Sequence, residues 1–210
     1  MVAGREETRL RGANPGRPTA VVRVVSADAS SAETIARPEK PEFDYWDPCW
    51  LPDGSIVFSH LVLAAPSGIL RYDPSTRRVE RLSGADAYRY PKCSTRGDLL
   101  ALHLEPGHPR YFLRRAGASR WEDVVVPAAE ELVYPGWRRD GRSFCALSVG
   151  GVVECYSLVD RRLEVLALTP GLPLAAWRAV PWMGLDADDM PFVTADRSTR
   201  ALYALDWEAP

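Results

Sequence analysis

The 210-residue chain has only two lysines, Lys40 and Lys92, and three histidines, His60, His103 and His108. Its formal net charge of −2 gives no general attraction to nucleic acid or to an anionic membrane. No stretch reaches the ~18 apolar residues that a membrane helix needs. Residues 1–7 lack the apolar core of a signal peptide. The expectation is a cytoplasmic chain, or an extracytoplasmic one if it is cut from a membrane-anchored parent. The four cysteines, Cys49, Cys93, Cys145 and Cys155, include no C-x-x-C pair, which argues against a zinc site. They read as buried free thiols, although Cys145 and Cys155 could face each other across one hairpin. There is no G-x-S-x-G elbow, no P-loop and no H-E-x-x-H. Ser67, in Pro66-Ser67-Gly68, has no evident base. Helix signals are poor, and residues 126–131 hold at most a turn. No cofactor is expected.

What the chain has is turns. Eighteen prolines and fifteen glycines punctuate short apolar runs. The segment Pro48-Cys49-Trp50-Leu51-Pro52-Asp53-Gly54 returns as Pro91-Lys92-Cys93-Ser94-Thr95-Arg96-Gly97 and as Pro135-Gly136-Trp137-Arg138-Arg139-Asp140-Gly141. A spacing of roughly 40–45 residues marks a β-propeller with one four-stranded blade per repeat. Asp-Gly suits a tight hairpin, because such turns need positive φ. Each copy is followed by an alternating strand: residues 55–60, 98–104 and 142–147. A second repeat, residues 69–82 matching 153–166, supplies the outer half of a blade.

The fold expected is therefore all-β, an incomplete propeller arc of about four four-stranded blades. Residues 1–17 are Gly/Arg/Pro-rich and expected to be disordered. The propeller then runs over 18–210: a half blade at 18–41, blades at 42–83, 84–127 and 128–168, and an incomplete blade at 169–210. In the last unit Leu185-Asp186-Ala187-Asp188-Asp189 is a worn turn, followed by strands at 191–194 and 201–207. Unpaired edges are hazards. Either the arc closes by pairing residues 20–36 with the last unit, or it stays open and self-associates through its blade edges.

These repeated segments, with Ser26-Ala27-Asp28 and Leu205-Asp206-Trp207-Glu208-Ala209-Pro210, resemble the WD40-like repeats of TolB-type β-propellers across residues 18–210. The closing residues 203–210 also resemble the C-terminal propellers of large bacterial regulators. In those proteins the propeller follows a winged-helix or a serine/threonine-kinase domain, and neither lies within this sequence. The chain departs from the repeat at Cys93 for Trp, Arg96 for Asp and Asp189 for Gly.

The conspicuous residues read as framework. Trp50, Asp53, Gly54, Cys93, Gly97, Trp137, Asp140 and Gly141 recur once per unit, and packing between blades explains them. Burying a tryptophan is worth on the order of 5 kcal/mol at most. The three histidines read as strand and loop residues. Asp186, Asp188 and Asp189 form a D-x-D-D loop, a weak candidate for a hard cation such as Ca²⁺, without EF-hand spacing. The pairs Arg77-Arg78, Arg138-Arg139 and Arg161-Arg162 read as solvated loops. The functional expectation is a non-catalytic protein-binding or sensory module with a protein partner, no nucleic acid and no membrane segment. The alternative is a propeller-hosted enzyme of hydrolase type with acid and base groups in the central channel.

Overall fold

The computed structural model describes residues 2–8, 19–38, 43–62, 68–105, 108–128, 132–148, 150–169, 176–177, 180–181 and 183–195. Among these, every regular element is a β-strand. A leading sheet holds β1 (Val2–Thr8), β2 (Thr19–Val25) and β3 (Ala32–Ala36) in that order. The first blade is β4 (Phe43–Trp50), β5 (Ile56–Val62), β6 (Gly68–Asp73) and β7 (Arg78–Arg81). The second is β8 (Tyr88–Cys93), β9 (Leu99–Glu105), β10 (His108–Arg114) and β11 (Glu122–Val124). The third is β12 (Leu132–Trp137), β13 (Ser143–Ser148), β14 (Val152–Ser157) and β15 (Arg162–Leu168). Two short hairpins follow, β16 (Ala176–Trp177) with β17 (Val180–Pro181), and β18 (Met183–Leu185) with β19 (Pro191–Val193). All pairings are antiparallel and sequential, as in a propeller blade.

One expectation is corrected at the start of the chain. Val2–Thr8 is not disordered but forms a strand, in register from Val2↔Val25 to Thr8↔Thr19. The polar composition of this segment hid it, because a backbone ladder asks little of side chains. Pairing there satisfies the N–H and C=O groups along one edge of β2. The leading half blade is thus a three-stranded sheet. The strand expected at 201–207 and the loop around Ser67 lie outside the described residues.

The blades stack through the period-2 alternation of their middle strands. In β5, Ile56 and Phe58 pack toward the leading sheet with Val22, Ala36, Tyr45 and Tyr72. Val57, between them, packs with Ile69, Leu82, Leu99 and Ala101 against the second blade. In β9, Leu100 and Leu102 face the third blade and meet Leu132, Phe144, Ala146 and Tyr156. In β13, Cys145 and Leu147 face onward to Met183. Every middle strand therefore divides its side chains between two cores, and each core belongs to two neighbouring sheets. The first strands β4, β8 and β12 also touch one another in sequence, which places them on the inner side of the arc.

The hairpin joining the first two strands repeats down to its hydrogen bonds. Gly54 N–H donates to Leu51 O at 3.0 Å, Gly97 to Ser94 O at 3.1 Å and Gly141 to Arg138 O at 3.0 Å. These glycines have φ of 82°, 87° and 61°, the left-handed region that side chains resist. Asp189 takes the same place with φ 60° and donates to Asp186 O at 3.2 Å. The worn turn is therefore still the same turn, because Asp tolerates this conformation better than most residues.

The cysteines correct a second expectation. They are not free thiols: Cys49 is bonded to Cys93 and Cys145 to Cys155. Cys49 looks out from the first blade and Cys93 looks back from the second, so this bond fastens two blades. Cys145 and Cys155 stand directly opposite on β13 and β14.

Candidate functional site

The inner strands share a kink. The ladder slips between Trp46 and Cys49, between Arg89 and Lys92, and between Val133 and Gly136. Each slip holds a residue at positive φ followed by proline: Asp47 at 48°, Tyr90 at 54° and Tyr134 at 49°. Non-glycine residues adopt this conformation rarely, and each instance costs of order 1–3 kcal/mol. Proline, which has no N–H to give a ladder, suits such a bulge. The repeated proline is thereby explained.

The bulges bring side chains from three blades into one seam. Lys92 Nζ lies 3.2 Å from Asp47 Oδ1, and both side chains are about four-fifths buried. The same ammonium sits 5.7 Å from the centroid of the Tyr134 ring, within cation–π reach. Tyr90 lies against Tyr134 with ring centroids 5.9 Å apart. Tyr90 N–H donates to Ser59 Oγ at 2.7 Å, and Trp137 Nε1 donates to Lys92 O at 2.8 Å. Asp47 Oδ2 is buried with no hydrogen-bond partner among the described residues. The seam thus pairs a fixed charge and a rigid aromatic pair with one acceptor left to fill.

The residues singled out from the sequence fall elsewhere. Trp50 packs in the core between the leading sheet and the first blade, and Trp137 in that between the second and third blades. Asp53 Oδ1 accepts from Ser55 N at 2.9 Å, and Asp140 Oδ1 from Arg142 N at 2.8 Å, each closing its turn. The Ser55 hydroxyl, foremost, holds the Asp53 carboxyl below its ordinary range, with help from Arg71. Where Arg96 replaces that aspartate, Ser94 Oγ accepts from Arg96 N at 3.2 Å and Asp98 N at 2.9 Å instead.

Asp186 Oδ1 accepts from Asp188 N and Met190 N at 2.9 Å. Asp189 Oδ1 accepts from Arg139 N at 2.7 Å, and its Oδ2 lies 3.5 Å from Arg138 Nε. These carboxylates close a turn and dock it onto the third blade. Arg138 is consequently tied to the neighbouring turn, whereas Arg139 meets it through its backbone N–H and stays exposed. Arg77 and Arg161 are turn residues at φ 56° and 54°.

His60 and His103 hold the same strand position, opposite Tyr45 and Tyr88. His60 packs on Phe43 and Tyr45, and burial, followed by the charge of Arg81, pushes its pKa down. His108 lies on β10. The seam lies one position before the repeated segment, at the residue that precedes each proline. That residue was the signal.

No family model matches the chain, and no curated protein matches it. Solved structures do. TolB from Acinetobacter baumannii superposes with a TM-score of 0.63 at 17% identity, covering 83% of this chain and 42% of TolB. A gluconolactonase from Xanthomonas campestris gives 0.55 at 17% identity, over 83% of this chain and 62% of that one. A prolyl endopeptidase gives 0.56 at 13% identity, over 89% and 31%. The chain spans less than two thirds of the length of each of these proteins. Identities this low speak to fold alone, and the fold is a TolB-like β-propeller arc.

Proposed function

We propose that the chain is a non-catalytic, protein-binding propeller module that takes a peptide segment of its partner at the inner-strand seam. The observation that carries this reading is the seam itself. Asp47, Lys92, Tyr90 and Tyr134 come from three blades and converge on backbone held in an unfavourable conformation. Backbone outliers of this kind persist where the surroundings over-determine them, and they cluster at binding and active sites. Rigid aromatic and charged anchors bind with little ordering cost. The resemblance of residues 203–210 supports kinship with the C-terminal propellers of bacterial winged-helix or kinase regulators, as a fragment or a stand-alone relative. The two disulfides support work in an oxidising compartment.

The test is selection from a displayed random-peptide library, followed by titration of the selected peptides. Binding is expected to weaken at least tenfold in Tyr134→Ala and in Asp47→Asn. Failure to enrich any peptide, or binding by both variants as tight as by the parent chain, overturns the reading. Lactone, ester or peptide hydrolysis that Asp47→Asn abolishes establishes the enzymatic alternative instead.

A further inference from the structure

The repeat dictates what should stand beside each central strand, and one interface departs from it. Toward the preceding sheet the aligned triplets are Trp50-Ile56-Tyr72, Cys93-Leu99-Arg114 and Trp137-Phe144-Tyr156. Toward the following sheet they are Cys49-Val57-Arg71, Lys92-Leu100-Leu113 and Gly136-Cys145-Cys155. Where the second and third blades meet, the outermost members are Leu113 and Tyr156, 1% and 5% exposed. Where the first and second blades meet, the same two positions are Arg71 and Arg114. The fold asks for apolar residues there, and this interface supplies two guanidinium groups facing each other.

Between them lies a cleft of about 440 Å³, lined by Leu51, Asp53, Arg71, Leu82, Leu99 and Arg114 among others. That volume lies in the range of small-molecule sites. Arg71 is tethered by Asp53 Oδ2 at 2.7 Å and Ser55 Oγ at 3.0 Å. Arg115, also lining the cleft, is paired with Asp98 at 3.2 Å. Arg114 gives Nε to Ala118 O at 2.6 Å, and its terminal nitrogens have no partner among the described residues. Arg96 lines the cleft as well, so four arginines stand against Asp53 and the Asp98 behind Arg115, which leaves two positive charges unbalanced. Burial and then the charge of Arg71 push the Arg114 pKa down. An anion between the two relieves that repulsion.

We propose that the cleft between the first and second blades binds a carboxylate carried on an apolar body. The two terminal nitrogens of Arg114, unpartnered among the described residues, present the fork that matches a carboxylate. Leu51, Leu82 and Leu99 take the apolar part. This site is separate from the inner-strand seam and stands whether or not the seam binds peptide.

The test is calorimetric titration at low ionic strength with benzoate and hexanoate, with inorganic phosphate and hexylamine as the other arms. Saturable binding of the carboxylates is expected, with at least tenfold weakening in Arg114→Gln and also in Arg114→Tyr. The second variant restores the residue type of the neighbouring blades, so it keeps the fold. Absence of saturable carboxylate binding, unchanged binding in the folded variants, or tighter binding of phosphate than of either carboxylate overturns the proposal.

Discussion

The interface between the second and third blades and the one between the first and second are built from the same repeat positions with opposite contents. The former stacks Trp137, Phe144 and Tyr156 on Leu100 and Leu113. The latter places Cys93, Leu99 and Arg114 against Cys49, Val57 and Arg71. Aromatic packing holds one pair of blades together. The other pair shares a core of buried aliphatic residues crossed by a disulfide, and the space that Phe144 and Tyr156 fill elsewhere becomes a charged cleft. A repeat protein can thus open part of one interface for a ligand when a covalent bond supplements the packing that remains.

The contrast breaks most visibly at the aromatic interface. Phe144 is fully buried, and Phe144→Ala is expected to cost on the order of 4–5 kcal/mol. Leu99→Ala, its counterpart, is expected to cost about 2 kcal/mol, because water from the adjoining cleft fills the space. Chemical denaturation of the two variants checks the order. A larger loss at Leu99 contradicts the comparison.

The disulfides come next. Cys49–Cys93 spans 44 residues and Cys145–Cys155 spans 10. Chain entropy gives about 4 kcal/mol for the first and about 3 for the second. Paired Cys→Ser variants are expected to follow that order. The bond between blades is also expected to matter for carboxylate binding, and the bond within the third blade is not.

The smallest effect is pH-dependent. The pKa of His60 in the folded chain lies below its ordinary value of 6.5, chiefly through burial. The unfolded chain therefore takes up the proton first as pH falls. The contribution of His60 to stability is full above about pH 6.5 and is lost on acidification toward the lowered pKa. Urea midpoints at pH 7.5 and 5.5 are expected to differ less in His60→Phe than in the parent chain. An unchanged difference shows that other groups set the dependence.

Much of this fold was legible in the sequence, and for a physical reason. The turn needs a left-handed residue once per blade, so Gly54, Gly97 and Gly141 are forced and visible. Asp189 was visible only as damage to the pattern, although its backbone makes the same turn. Three features were not legible. The pairing of β1 rests on backbone groups that leave little trace in composition. The Cys49–Cys93 bond joins different positions of the repeat, so aligning the copies gave no reason to link them. The cleft depends on which face of a strand Arg71 and Arg114 occupy, and that required the register.

The central claim is that the first and second blades give up packing so that Arg71 and Arg114 can serve a ligand. The double variant Arg71→Leu/Arg114→Tyr rebuilds the interface on the pattern of its neighbour. Stabilising changes that cost function are common where a protein has set stability aside for activity. Thermal unfolding of the parent chain and of this variant is the direct measurement. A transition raised by roughly 2–4 °C, with carboxylate binding lost, is the result expected. A lowered transition contradicts the claim, because the arginines then belong to the framework.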